Sequence, residues 1–104
     1  MMTTQIVLIV RFRVAAGSKT LLMEKLKEVF EHIRQEDTFV SASLQEDIAD
    51  PEQLLVYEIW RETPESFMKN QITKPYRRGF EQAVIELKVE RTPQWLKPVA
   101  EWKR

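Results

Sequence analysis

The chain has 104 residues, with sixteen basic and sixteen acidic side chains, one histidine and no cysteine. That length supports one core rather than two, and a composition 43% apolar and 31% charged is that of a folded domain. Zero net charge argues against a nucleic-acid or acidic-membrane partner, and the missing cysteines remove disulfides, thiolate metal sites and a cysteine nucleophile.

A strand is predicted over Gln5–Val14, β-branched and closed by Ala15-Ala16-Gly17-Ser18. Its apolar run is too short for the roughly 20 residues of a membrane span. Arg11 and Arg13 follow the run, so it does not read as a signal peptide, and a cytoplasmic location is expected. Ser18 stands as N-cap of a helix in which Leu22, Leu26, Val29, Phe30 and Ile33 recur at helical spacing. Phe39–Glu46 alternates, with Val40, Ala42 and Leu44 on one face and Ser41, Ser43 and Gln45 on the other. Asp50-Pro51 marks a turn, and Leu54–Trp60 is the antiparallel partner strand.

Thr63 followed by Pro64 caps a short helix ending about Asn70. Thr73–Pro75 starts another, with Tyr76, Phe80, Ala83, Val84 and Leu87 in phase. Ile85, Leu87 and Val89 also alternate, so the last strand is expected to take over near Glu86. Pro93 and Pro98 then punctuate an aromatic tail, residues 93–104, that carries Trp95 and Trp102.

This order predicts an α+β, ferredoxin-like βαββαβ fold in one domain spanning 1–104. Its four-stranded antiparallel sheet has helices on one face only. Yet the first strand places Ile6, Leu8, Val10 and Phe12 on one side and Val7 and Ile9 on the other. The strand ending at Trp60 is apolar on both sides too. A second apolar sheet face left in water would be a patch that monomers rarely tolerate, so a homodimer is expected, with the tail packing on or across the partner.

The chemistry open to these residues is restricted. Only Gly17 and Gly79 are glycines, so no dinucleotide or phosphate loop exists. No residue cluster has metal-ligand spacing. His32 lies with Glu28 and Lys25 rather than with the apolar stripe, which suits a surface histidine. Lys74, Arg77 and Arg78 are the nearest thing to a basic patch. Glu58 is the sharper oddity, because alternation puts it on one face with Val56 and Trp60. Burial there would make it either a base with a raised pKa or half of an ion pair with Arg11 or Arg13.

From the turn at Asp50-Pro51 onward the chain resembles a known family. Asp50-Pro51, Leu55-Val56-Tyr57-Glu58-Ile59-Trp60 and Glu65-Ser66-Phe67 are similar to the DP…(V/L)YE(V/I)W…EAF pattern of the antibiotic biosynthesis monooxygenase (ABM) family. Lys74-Pro75-Tyr76 and Phe80 fall where that family has its TP(H/Y)F…F segment, and Val10–Gly17 resembles its opening. The resemblance implies a dimeric α+β barrel. It also implies either a monooxygenase that oxidises a small aromatic, quinol- or anthrone-like substrate with O2 and no cofactor, or a non-oxidative isomerase or small-ligand-binding dimer. Two histidines frequent in the family are missing here, replaced by Asn70 and by the Lys74-Pro75-Tyr76 segment. Cofactor-free oxygenation needs an apolar slot, a few donors and a proton acceptor. Val56, Trp60, Phe67 and Tyr76 are the candidates for the slot; Asn70, Tyr76 and Trp60 are the candidate donors, and Glu58 is the candidate base.

Overall fold

The computed structural model describes residues 4–104. Strand β1 (Ile6–Arg13) leads through a short 3-10 turn into α1 (Lys19–Ile33), followed by β2 (Phe39–Glu46) and β3 (Gln53–Trp60). Helix α2 (Pro64–Asn70), a 3-10 turn at Pro75–Arg77, α3 (Arg78–Glu86) and β4 (Glu90–Leu96) complete the fold. The strands lie in the order β2-β3-β1-β4, all antiparallel, which is the ferredoxin-like arrangement that the element order predicts.

The pairing register settles which side chains face the helices. Leu8 lies across from Glu58, Val10 from Val56 and Phe12 from Leu54, so these form the inner face. They pack against Leu22, Leu26, Val29 and Ile33 of α1 and Phe80 and Val84 of α3, all buried. Phe12 and Phe80 meet edge to face with centroids 6.0 Å apart. The outer face carries Ile9, Leu55, Tyr57, Ile59 and Leu96, with Tyr57 and Leu96 each 37% exposed.

Local chemistry explains where elements start. Thr63 accepts from Ser66 N–H and Ser66 Oγ accepts from Thr63 N–H, a reciprocal cap that pins α2 with Pro64 in its first turn. Ser18 does not cap α1: it is already helical, at the end of the 3-10 turn Ala16–Ser18, and its side chain makes no cap bond. In β2 a bulge between Phe39 and Ser41 puts Val40 out of line. Phe39, not Val40, therefore joins Ala42 and Leu44 on the inner face, and Val40 is exposed.

The last strand begins later than the alternation of Ile85, Leu87 and Val89 suggests. Helix α3 ends in a Schellman turn: Val89 N–H bonds Val84 C=O at 3.0 Å and Lys88 N–H bonds Ile85 C=O at 3.1 Å. Val89 is thus apolar as the residue that closes a helix end, not as part of a strand. Pro93 and Trp95 belong to β4, leaving only the residues beyond Leu96 as tail. Pro93 is tolerated because β4 pairs with β1 alone and is a sheet edge. Lys88 holds φ 53° at the position glycine prefers. Lys88→Gly should therefore stabilise the fold by about 0.5–1 kcal/mol, read as a rise in the urea midpoint with unchanged slope. A lowered midpoint would refute it.

Candidate functional site

A cavity of about 560 Å3 lies between the inner sheet face and the helices. Its floor is Leu8, Val10 and Phe12 of β1 with Val56 and Glu58 of β3; α1 supplies Leu26, Val29 and Ile33; Phe67 and Trp95 close one end. The volume and the mostly apolar lining are those of a small-molecule pocket. The aromatic rings continue behind it, since Phe67 sits 5.2 Å edge to face from both Trp60 and Trp95, and Trp60 sits 5.2 Å from Phe39.

Glu58 is 5% exposed. Trp60 Nε1 donates to its Oε1 at 2.9 Å, a bond made possible because residues two apart on a strand share a face. Burial pushes the Glu58 carboxyl above the ordinary carboxylate range, and the Trp60 bond and the charge of Arg77 only partly oppose it. The ion pair expected with Arg11 or Arg13 does not form, because both arginines project from the opposite face. Arg11 donates to Gln94 at 3.1 Å and Arg13 to Asp50 at 2.9 Å. Glu58 is a desolvated carboxylate set in a pocket wall, with a single neutral donor holding it.

The structure brings together three of the six candidate residues in the cavity wall: Val56, Glu58 and Phe67. Trp60, fully buried, stands behind Glu58 and orients it. Asn70 and Tyr76 do not line the cavity. Asn70 is exposed at the end of α2, beside Glu62. Tyr76 turns toward α1, where its hydroxyl donates to Glu36 at 2.9 Å and its ring stacks on His32 at 5.2 Å. Burial and the bond to Glu36 push the Tyr76 hydroxyl up to about 12, so it stays protonated at neutral pH.

Arg77 was legible only as part of a basic cluster, and the fold takes that cluster apart. Lys74 pairs with Glu36 at 3.3 Å, Arg78 is exposed, and Arg77 turns into the cavity wall. Its guanidinium lies 5.6 Å above the Phe67 ring. The signal was phase: Arg77 precedes Phe80 and Val84 by three and seven residues, which puts it in line with the buried stripe of α3. At the mouth Glu81 and Arg91 form a bidentate pair, both bonds 2.8 Å, joining α3 to β4.

A second buried carboxylate, Glu62, lies outside the cavity and is fully engaged. It accepts from Thr38 Oγ1 at 2.6 Å, Ser66 Oγ at 2.8 Å and Gln71 Nε2 at 2.7 Å, tying the start of β2 to both ends of α2. Desolvation pushes its pKa up, but these bonds outweigh that and hold it below the usual range. Among the described residues no group of three or more acidic or histidine side chains could hold a metal ion, and no helix is long and apolar enough to cross a membrane.

The sequence profile of the antibiotic biosynthesis monooxygenase family matches residues 5–82, three quarters of the chain. The chain belongs to that family. Solved structures agree on the fold. SnoaB, a cofactor-independent oxygenase from Streptomyces nogalater, superposes with a TM-score of 0.79 at 12% identity, covering 97% of this chain and 99% of that one. A Pseudomonas aeruginosa protein gives 0.82 at 20% identity (96% and 99% covered), and a Mycobacterium tuberculosis protein gives 0.81 at 21% (96% and 100%). At these identities the ABM fold is shared while the side chains of the pocket need not be. No curated protein sequence matches the chain.

Proposed function

We propose that this ABM-family protein is a cofactor-independent monooxygenase that oxidises a small aromatic, quinol- or anthrone-like molecule with O2. The observation that carries the reading is Glu58: a desolvated carboxylate in the wall of an apolar cavity large enough for a fused-ring substrate. Val56, Phe67 and Trp95 hold the ring, and Glu58, oriented by Trp60, takes the acidic proton from carbon or phenol oxygen. The resulting electron-rich anion passes one electron to O2, and the radical pair joins as a peroxide. Loss of water from an anthrone peroxide turns the CH2 group into C=O, with one oxygen atom retained and the other leaving as water. Asn70 and Tyr76 take no part in this scheme.

The test is oxygen uptake with a panel of hydroquinones and anthrones against an autoxidation blank. Uptake above the blank supports the reading. No enhancement on any substrate, with folding intact, would shift the assignment to an isomerase or a ligand-binding protein on the same cavity.

The working unit in this proposal is a homodimer joined through the outer sheet face, where Ile9, Leu55, Tyr57 and Ile59 would otherwise meet water. The tail adds Val99 and Trp102, the latter 88% exposed. Tyr57→Asp places a charge at the centre of that face without touching the inner core. It should convert a sedimenting dimer to a folded monomer. A dimer that survives the substitution would show that another surface is used.

A further inference from the structure

The inner face of the sheet carries a second hollow beside the cavity. A groove of about 460 Å3 opens between α1 and β2, floored by Ala42 and Leu44 and rimmed toward solvent by Lys27, Glu31 and Arg34. The pairing register shows that groove and cavity share one floor: Ala42 lies directly across from Glu58, and Leu44 from Val56. Neighbouring strands stand about 4.8 Å apart, so the groove begins one strand away from the candidate base. Ala42 faces inward yet is exposed, so the floor is bare at that point.

Three residues line both hollows: Leu26, Phe30 and Val56. Leu26 and Val56 are 2% and 1% exposed and belong to the packed core. Phe30 is only half-buried, and its ring stands 6.5 Å from that of Phe39, which lines the groove. It ends a line of aromatic rings that passes from Trp95 through Phe67, Trp60 and Phe39. Trp95 and Phe67 close one end of the cavity, and Phe30 stands on the side toward β2. Of the shared residues it is the largest and the least committed to the core.

We propose that Phe30 is the specificity-determining residue of this site: its ring is the partition that confines a ligand to the floor of β1 and β3 and stops it from extending past Glu58 over β2. This deepens the assignment of the cavity as an aromatic site and rests on it. The ligand class it selects is a compact fused-ring molecule. One carrying a bulky group on the edge that faces Ala42 is rejected by a side chain, although empty volume lies beyond.

The test measures binding of 2-naphthol and the longer 6-phenyl-2-naphthol by calorimetry at pH 7. Wild-type protein should bind the longer probe no more tightly than the shorter. Phe30→Ala joins the two hollows and should bind the longer probe at least about tenfold more tightly than wild type does, the range of an added apolar group that fits its pocket. It should keep the shorter probe within about threefold. Phe30→Leu leaves the core better filled and should show part of the gain, so it decides the matter if Phe30→Ala does not fold. Leu22→Val alters a fully buried residue of α1 that lines neither hollow, and should change neither affinity. Tighter binding of the longer probe already in wild type, no gain in either Phe30 variant, or an equal gain in Leu22→Val overturns the partition and leaves the aromatic cavity standing. Failure of both probes to bind would overturn the cavity assignment and the partition with it. Oxygen uptake is not read, so an inactive protein with a Phe30-dependent size limit removes only the oxygenase assignment.

Discussion

Glu58→Gln should abolish oxygen uptake and at the same time make the protein harder to unfold at pH 8. Glutamine keeps an oxygen to accept from Trp60 Nε1 but cannot take a proton, so the substrate anion no longer forms. The stability gain follows from linkage. A carboxyl whose folded pKa is raised binds its proton more tightly folded than unfolded, so stability falls as pH rises from the unfolded value through the folded one. The wild-type protein carries that penalty at pH 8, and the neutral amide does not. The melting temperature of Glu58→Gln should exceed wild type at pH 8, and the gap should close as pH falls toward about 4, where the carboxyl is mostly protonated in both states. Full activity in the variant would dismiss Glu58 as the base. Trp60→Phe sharpens the test, because it removes the one side-chain donor that favours the charged form. Its acid limb in the rate–pH profile should move to higher pH, whereas a packing role alone would lower the rate equally at every pH.

Glu62→Ala should be the most damaging single change outside the cavity. Glu62 is 7% exposed and joins Thr38, Ser66 and Gln71; its removal takes the short-range acceptor from all three donors, leaving Ser66 Oγ only Thr63 C=O at 3.2 Å and Gln71 Nε2 only Thr38 Oγ1 at 3.5 Å. Orphaned buried donors cost roughly 1–3 kcal/mol each before relaxation, so a loss of about 3 kcal/mol is expected, or a melting point lower by roughly 12 °C or more. The sign with pH is opposite to that of Glu58. Here the folded pKa is lowered, so the stabilisation is present above the unfolded carboxyl value and is lost as pH falls through the folded one. Acid unfolding of wild type should therefore begin as the medium drops below about pH 4, and the variant should show a shallower decline there. Equal midpoints for the two proteins in urea at pH 7 would refute the role of this carboxylate.

Much of what depends on neighbours along the chain was legible in the sequence, the supposed cap at Ser18 excepted. Alternation in β3 placed Glu58 on the buried face with Val56 and Trp60 because successive strand residues must point to opposite sides. The period of Leu22, Leu26, Val29 and Ile33 marked the face of α1, and Thr63-Pro64 marked the start of α2, since a cap is a contact within four residues. Even the Glu58–Trp60 bond was implicit, being two residues apart on one face, although Arg11 and Arg13 looked like the natural partners by charge alone.

What the tertiary structure alone decided involves partners far apart in sequence or a choice between two equally good local patterns. The run from Ile85 to Val89 satisfies both a helix end and a strand start, and only the Schellman bonds back to Val84 and Ile85 choose the first. The bulge that exchanges Val40 for Phe39 is set by pairing with β3, not by β2 itself. Glu62 draws its donors from the edge of β2 and from both ends of α2, and no spacing rule links Thr38 to Gln71. Arg77 reads as one of three surface cations until α3 packs on the sheet and carries it over Phe67. Periodicity determines which way a side chain faces because backbone geometry repeats locally. Which groups meet across the core depends on how separate elements pack, and that information is spread over the whole chain.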